Sequence, residues 1–121
     1  MAEPIEIGMQ SHIIEMWGVL NRIDVGSNEA FEQFQVGVVA LINYVYVVNA
    51  EAGNEMEAMY SAAEDWYEKE KAKVKGIPKG QRTPTQYKNY MHRIGMVRYE
   101  FKTILLYNIR EILSVYDLIS L

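Results

Sequence analysis

The chain has 121 residues, of which 50% are hydrophobic and 23% are charged, with a formal net charge of −4 and no cysteine. This composition predicts one folded domain and excludes wholesale disorder, disulfide frameworks, thiol catalysis and Cys-based zinc sites. The acidic first residues lack the basic start and long apolar core of a signal peptide, so we expect a cytoplasmic protein, or a virion component if the gene is viral.

The charge is divided unevenly along the chain. Residues 1–68 hold twelve acids and one Arg, a net of −11, whereas residues 69–121 hold eleven Lys or Arg and four acids, a net of +7. Opposite fields at the two ends of a small body favour head-to-tail self-association, or attract polyanions to one end and polycations to the other. The charge distribution therefore predicts an assembly or a charged partner and does not indicate a reaction.

Two helices are predicted in the first half of the chain. Apolar residues at spacings of three and four predict a helix over about 5–24, with Gly26 as its stop. A second helix is predicted over about 28–50, with Ser27 or Asn28 as its N-cap. Its apolar side chains cover all faces, which is typical of a helix that is central in a bundle or shared with another subunit.

The second helix contains the most apolar stretch of the chain. Residues 36–50 are about 15 in number, which is short of the roughly 20 that a bilayer-spanning helix needs, so we expect no membrane insertion. Strand-forming residues are frequent between 36 and 48, and a β-strand there stays an alternative to the favoured helix.

The third helix is predicted from signals at its start. Gly53 is expected to break the chain, and Asn54 with Glu57 three residues later resembles a capping box. Acids near the start and lysines near the end suit the helix dipole. Part of the charge asymmetry therefore has a local cause in helix stabilisation.

A basic loop over 75–84 precedes the last helix. Thr83 as cap, Pro84 at the first position and Gln86 at the third predict where that helix begins. No strong stop follows before the C-terminus, and a helix of that length would extend for about 57 Å. We therefore expect the last helix either to kink near Gly95 or to project from the body.

These elements predict an all-α fold, a four-helix bundle with a long C-terminal helix, as a single helical domain over 1–121. Past Phe101 the apolar arc of the last helix widens to roughly half of its circumference. A chain of this size would struggle to cover that arc alone, which predicts a homo-oligomer, with cover by the second helix as the alternative. The predicted self-association residues are Leu106, Ile109, Leu113 and Tyr116.

The chain contains little that resembles a catalytic or metal site. His12 and Glu15 are three residues apart, but metal sites in helical bundles need several inward ligands, and no second such pair exists. Ser/His/Asp groupings and Gly-rich phosphate loops are also lacking. The sequence therefore predicts no catalytic residue, no metal and no cofactor, and we expect a protein that is not an enzyme.

Basic residues around the start of the last helix carry the alternative function. Cations at a helix N-terminus oppose helix stability and suit the capture of anions, and aromatic rings between cations are typical of single-strand nucleic-acid binders. Pairing of the same cations with the acidic half of the same or the next molecule stays a competing interpretation. The candidate polyanion-binding residues are Lys75, Lys79, Arg82, Lys88, His92, Arg93, Tyr99 and Lys102.

Three functional hypotheses follow. The leading one is a non-enzymatic helical assembly protein, with a virus or mobile element as candidate source, that self-associates through the last helix while its charged ends set the geometry. The second is a nucleic-acid-associated accessory or regulatory protein that uses residues 75–102. The third is an acidic N-terminal half that mimics nucleic acid and binds a basic protein.

Overall fold

The structure is a computed structural model that describes residues 4–75 and 79–119, with side chains for 8–74 and 80–119. No strand occurs in these ranges, which confirms the all-α class and the helical interpretation of residues 36–48. One turn of 3-10 helix, Lys79–Gln81, precedes the last helix. The four α-helices are α1 (Pro4–Arg22), α2 (Asn28–Val48), α3 (Ala50–Lys75) and α4 (Pro84–Val115).

The helices pack in the order in which they follow one another. Each contacts its successor, α3 and α4 most extensively, and α1 also meets α4, a contact pattern consistent with a helical bundle. The centre of the core is Phe101 of α4, whose ring centroid lies 5.5 Å from that of Phe31 and 5.4 Å from that of Tyr67. These tilted and edge-on ring pairs join α2, α3 and α4 at one level.

A single residue, Asn49, joins α2 to α3. Its backbone N–H donates to the Val45 carbonyl at 2.7 Å and closes α2, while its side-chain oxygen accepts the N–H of Ala52 at 3.2 Å and opens α3. One amide side chain therefore caps the second helix of a very tight corner.

The predicted start of α3 was wrong by several residues. Gly53 does not break the chain but is buried in the first turn of the helix, and Asn54 is therefore not its cap. A Cβ on Gly53 would lie 2.5 Å from the Cα of Tyr46 in α2, far inside ordinary contact. The glycine is needed because two helix backbones approach closely, a tertiary requirement that local sequence signals do not reveal.

The predicted start of α4 is confirmed in detail. The Thr83 hydroxyl accepts the N–H of Gln86 at 3.2 Å, and the Gln86 side chain accepts the N–H of Thr83 at 2.9 Å, with Pro84 at the first helical position. This reciprocal pair is a capping box. The helix then continues without interruption through Gly95.

The C-terminal end of α4 does not project, because the helix stops at Val115 and the chain folds back. Asp117 adopts a left-handed backbone with φ of 55°, and the N–H of Leu118 donates to the Leu113 carbonyl at 2.8 Å. This Schellman turn buries Leu118 and Ile119 in the core. The stop was not predicted because Asp, and not the usual Gly, occupies the left-handed position.

Candidate functional site

The first part of α4 and the last part of α3 form an arm that extends past the other two helices. The α1–α2 turn meets α4 at residues 98–102, and the preceding fourteen residues of α4 would extend for about 21 Å beyond that level. Of residues 84–93, only Tyr90 is even partly buried. Residues 69–74 and 80–93 hold six Lys or Arg and one Glu, a net of +5. We call residues 69–74 and 80–93 the basic arm.

Two of the predicted polyanion-binding residues are engaged within the chain. The Lys102 ammonium donates to the carbonyls of Asn21 at 2.7 Å and Ile23 at 2.6 Å, where α1 ends and its dipole is negative. The Tyr99 hydroxyl donates to the Asp24 carboxylate. That hydrogen bond holds the pKa of Asp24 below its usual value and raises the pKa of Tyr99. Both side chains therefore fasten the α1–α2 turn to α4.

Four of the remaining six candidates lie on the basic arm. Lys88, His92 and Arg93 are exposed, and no hydrogen bond or ion pair joins them to another described residue. The Arg82 guanidinium lies over the Tyr90 ring, 3.8 Å from its centroid, as a cation–π contact. The side chains of the other two candidates, Lys75 and Lys79, lie outside the described residues. Exposed cations thus persist on the arm after the structural ones are accounted for.

Two further lysines of the arm pair with neighbours on their own helix. The Lys71 ammonium lies 3.3 Å from the Glu68 carboxylate, and that of Lys73 lies 2.9 Å from Glu70. Such solvent-exposed pairs contribute little to stability. They offset two lysine charges on α3, whereas Lys88 and Arg93 of α4 form no ion pair with another described residue.

Sequence reasoning missed Arg98, the one charged side chain that is buried among the described residues. It is 7% exposed and donates to the Gly26 carbonyl at 3.2 Å and to the Asn28 side-chain oxygen, while its Nε has no partner. No described carboxylate lies within ion-pair distance of it. The available signal was its position, because Arg98 occupies the apolar stripe between Ile94 and Phe101 where α4 faces the core.

Arg98 also lines a cleft of about 400 Å³ between the basic arm and the first turns of α2. We call it the arm cleft. Its lining combines aromatic and aliphatic side chains with amides and with charges of both signs. The lining residues are Asn28, Phe31, Glu32, Gln35, Tyr67, Glu68, Lys71, Tyr90, Met91, Ile94 and Arg98.

The predicted self-association residues lie inside the single chain. Leu106, Ile109 and Leu113 are 5%, 0% and 0% exposed, so the wide apolar arc of α4 is already covered. Helices α1 and α3 contact α4 and provide cover that the local pattern could not reveal. Tyr116 is partly buried, and its pKa is raised by burial and by its hydrogen bond to Glu55. Pairing of two copies through Leu106, Ile109 and Leu113 would require the core to open.

A run of exposed apolar surface lies instead on α2. Val36 and Val47 are 70% and 82% exposed, and the exposed Ala40 and Asn43 lie between them at spacings of four, three and four on one side of the helix. No charged residue occurs from 33 to 50. Val39 and Tyr46 are also exposed on an adjacent flank. We call these six residues the outer face of α2.

Length and composition alone would allow α2 to cross a membrane, and 33% of its apolar window is buried inside the protein. The core helix of a soluble protein meets the same criterion. Six of its side chains belong to the core of this chain: Phe31, Phe34, Val38, Leu41, Ile42 and Val45.

The histidines are surface residues in the structure. The His12 ring packs edge-on against Tyr44, with centroids 4.6 Å apart, and its Nδ1 lies 4.0 Å from the Glu15 carboxylate, while both side chains are largely exposed. Among residues 8–74 and 80–119, no three His, Asp or Glu side chains converge on a common point where a metal could bind.

Comparison with protein-family models, with curated proteins and with solved structures finds no match to this chain.

Proposed function

We propose that this protein is a non-enzymatic assembly protein in a four-helix bundle fold, and that two copies pair through the outer face of α2. The observation that carries the proposal is an exposed, uncharged apolar surface running from Val36 to Val47. Exposed contiguous apolar surface of this kind is characteristic of interaction sites. The same helix contributes its other side to the core, so a second copy would complete the burial of an element that is apolar all round.

A symmetric pair suits this surface. A two-fold interface brings the same patch of both copies together, so the patch must tolerate its own image, and a charged patch would repel itself. With the two α2 helices antiparallel, Val36 of one copy lies opposite Val47 of the other, and Ala40 lies opposite Asn43. The small Ala40 side chain favours a close approach at the centre.

The charge asymmetry supports the antiparallel orientation. The basic arm lies beyond the N-terminal end of α2, whereas exposed acids cluster at its C-terminal end, where α3 begins: Glu51, Glu55 and Glu57. Antiparallel helices place the basic arm of each copy near the acidic corner of the other, and parallel helices place like charges together. Charge complementarity of this kind fixes orientation and speeds association.

The first experiment measures mass by light scattering after size exclusion. Val47→Glu introduces a charge at the most exposed position of the outer face, and we expect it to convert a dimer into a monomer. Val115→Glu is the matched control, because Val115 is 74% exposed on α4 and outside the outer face. A wild-type protein that is monomeric at about 100 μM would refute the proposal. Association that weak would fall below what we expect of an interface that buries a standard area.

A second pair of variants tests the orientation. In an antiparallel dimer Val36→Lys and Val47→Glu on one chain bring opposite charges together twice, so the double variant should dimerise better than Val47→Glu alone. In a parallel dimer the lysines would face each other and no recovery would follow. Raising the salt concentration should weaken the wild-type dimer without abolishing it, since only the charged ends are screened.

Binding of nucleic acid by the basic arm is the second candidate function. The observation in its favour is that Lys88 and Arg93 are exposed and have no partner among the described residues. We expect fluorescence anisotropy with a mixed-sequence oligonucleotide to give a Kd near micromolar that weakens steeply with salt. Arg93→Glu should reduce affinity far more than Arg110→Glu, a matched exposed cation of α4 outside the arm. Equal effects of the two changes would remove this function.

A further inference from the structure

Arg98 is a buried cation without a counter-ion among the described residues, and this is the starting point of a further inference that is independent of self-association. Moving a guanidinium out of water is costly unless it is paired and fully hydrogen-bonded. Here two neutral oxygens accept from it, its Nε has no partner, and no described carboxylate pairs with it. Arg98 is also one of the residues that line the arm cleft.

We propose that the arm cleft binds a small aromatic anion, a flat apolar body carrying a carboxylate or sulfonate. The apolar part of the ligand would meet Phe31, Tyr67 and Ile94, which are all less than 10% exposed as residues yet line the cleft. The rings of Phe31 and Tyr67 pack against each other, with centroids 4.9 Å apart and planes tilted by 34°, so the apolar part of the wall includes an aromatic pair. A volume of about 400 Å³ lies within the range of small-molecule sites.

The charge of the ligand follows from the positive groups at the cleft. Arg98 contributes a buried charge, Lys71 a partly exposed one, and α2 begins at Asn28, so its positive dipole end also faces the cleft. Lys71 is paired with the exposed Glu68 at 3.3 Å, so these two charges offset each other, and the acid that opposes Arg98 is the exposed Glu32. A buried charge acts through a lower dielectric than exposed ones, so Arg98 dominates and an anion is favoured.

The test uses two fluorescent probes with the same ring system. Anilinonaphthalene sulfonate is an aromatic anion, and phenylnaphthylamine is its neutral counterpart. Both are titrated into the Val47→Glu background, which places a charge on the outer face of α2 and so reduces binding of apolar probes there. We expect the anion to bind about tenfold more tightly than the neutral probe, the ratio that one charge-assisted contact provides.

Two matched pairs of variants localise the site. Lys71→Gln and Lys73→Gln each remove a lysine from the same turn of α3, but only Lys71 lines the cleft. We expect the first change to weaken the anionic probe about threefold and the neutral probe hardly at all, and the second to change neither. Met91→Trp should fill the cleft and weaken both probes, whereas Met96→Trp, on the exposed side of the same helix, should weaken neither.

Arg98→Gln completes the test if circular dichroism confirms that the variant folds, and it should abolish the preference for the anionic probe. Equal binding of the two probes by the parent protein would overturn the proposal. Equal effects of Met91→Trp and Met96→Trp would overturn it as well, because the probe would then bind elsewhere. Neither result depends on whether the wild-type protein dimerises.

Discussion

Gly53→Ala tests the close approach of α2 and α3. The added Cβ would lie 2.5 Å from the Cα of Tyr46, 2.6 Å from its Cβ and 2.9 Å from its backbone nitrogen. These atoms belong to backbone or to the root of a side chain, so no rotamer change can move them aside. The corner between α2 and α3 must therefore open for the variant to fold.

The expected magnitude combines two opposing terms. Ordinary contact begins near 3.4 Å, so the two backbones must separate by nearly 1 Å, and overpacking of this kind costs about 1–3 kcal/mol or more. Replacing Gly by Ala within a helix returns about 1 kcal/mol. Because the contact here is to backbone, we expect the upper end of the cost and a net loss of about 2 kcal/mol in the free energy of unfolding.

The assay is urea unfolding followed by circular dichroism, with Gly95→Ala as the control. Gly95 also lies inside a helix, but a Cβ there meets no atom within 4 Å, so helix propensity alone should stabilise that variant by about 0.5–1 kcal/mol. The same substitution should thus have opposite signs at the two sites. A Gly53→Ala protein as stable as Gly95→Ala would refute the close approach of α2 and α3.

Three further substitutions should change stability for separate reasons. Burial, with a contribution from Glu64, raises the pKa of Tyr60 from 10.0 to about 12. The contribution of the protonated Tyr60 hydroxyl to the free energy of unfolding is therefore complete below pH 10 and is lost as the pH rises towards 12. Between those pH values the free energy of unfolding of Tyr60→Phe should therefore fall by up to about 2 kcal/mol less than that of the wild type. If urea titrations gave both proteins the same alkaline profile, the raised pKa of Tyr60 would be contradicted. Asp117→Gly should raise the free energy of unfolding by about 0.5–1 kcal/mol, because glycine adopts the left-handed backbone without strain; a lower urea midpoint would argue against the turn. Thr83→Ala should lower the free energy of unfolding by about 1 kcal/mol through loss of the capping box. Thr85→Ala, in the first turn of the same helix, is the control and should lower it less.

Local patterns in the sequence were sufficient for the class and for most helix limits. The apolar spacing of three and four predicted α1, and Thr83, Pro84 and Gln86 predicted the start of α4, because caps act over three residues. The same reasoning failed at Gly53, which is a stop signal by itself but serves here as the contact point with Tyr46. It also failed at Asp117, since Asp accepts a left-handed backbone less often than Gly.

The candidate sites depended far more on the tertiary structure. The sequence by itself determined the helical period, the caps, the excess of cations after residue 68 and the uncharged run from 33 to 50, because these are properties of neighbouring residues. Only the packing decided which face of each helix is covered. It buried Leu106 and Ile109 under distant helices, joined Lys102 to carbonyls about eighty positions away, and left the outer face of α2 and the basic arm exposed. Burial depends on which remote segments meet, and a periodic pattern specifies an apolar face without specifying what covers it.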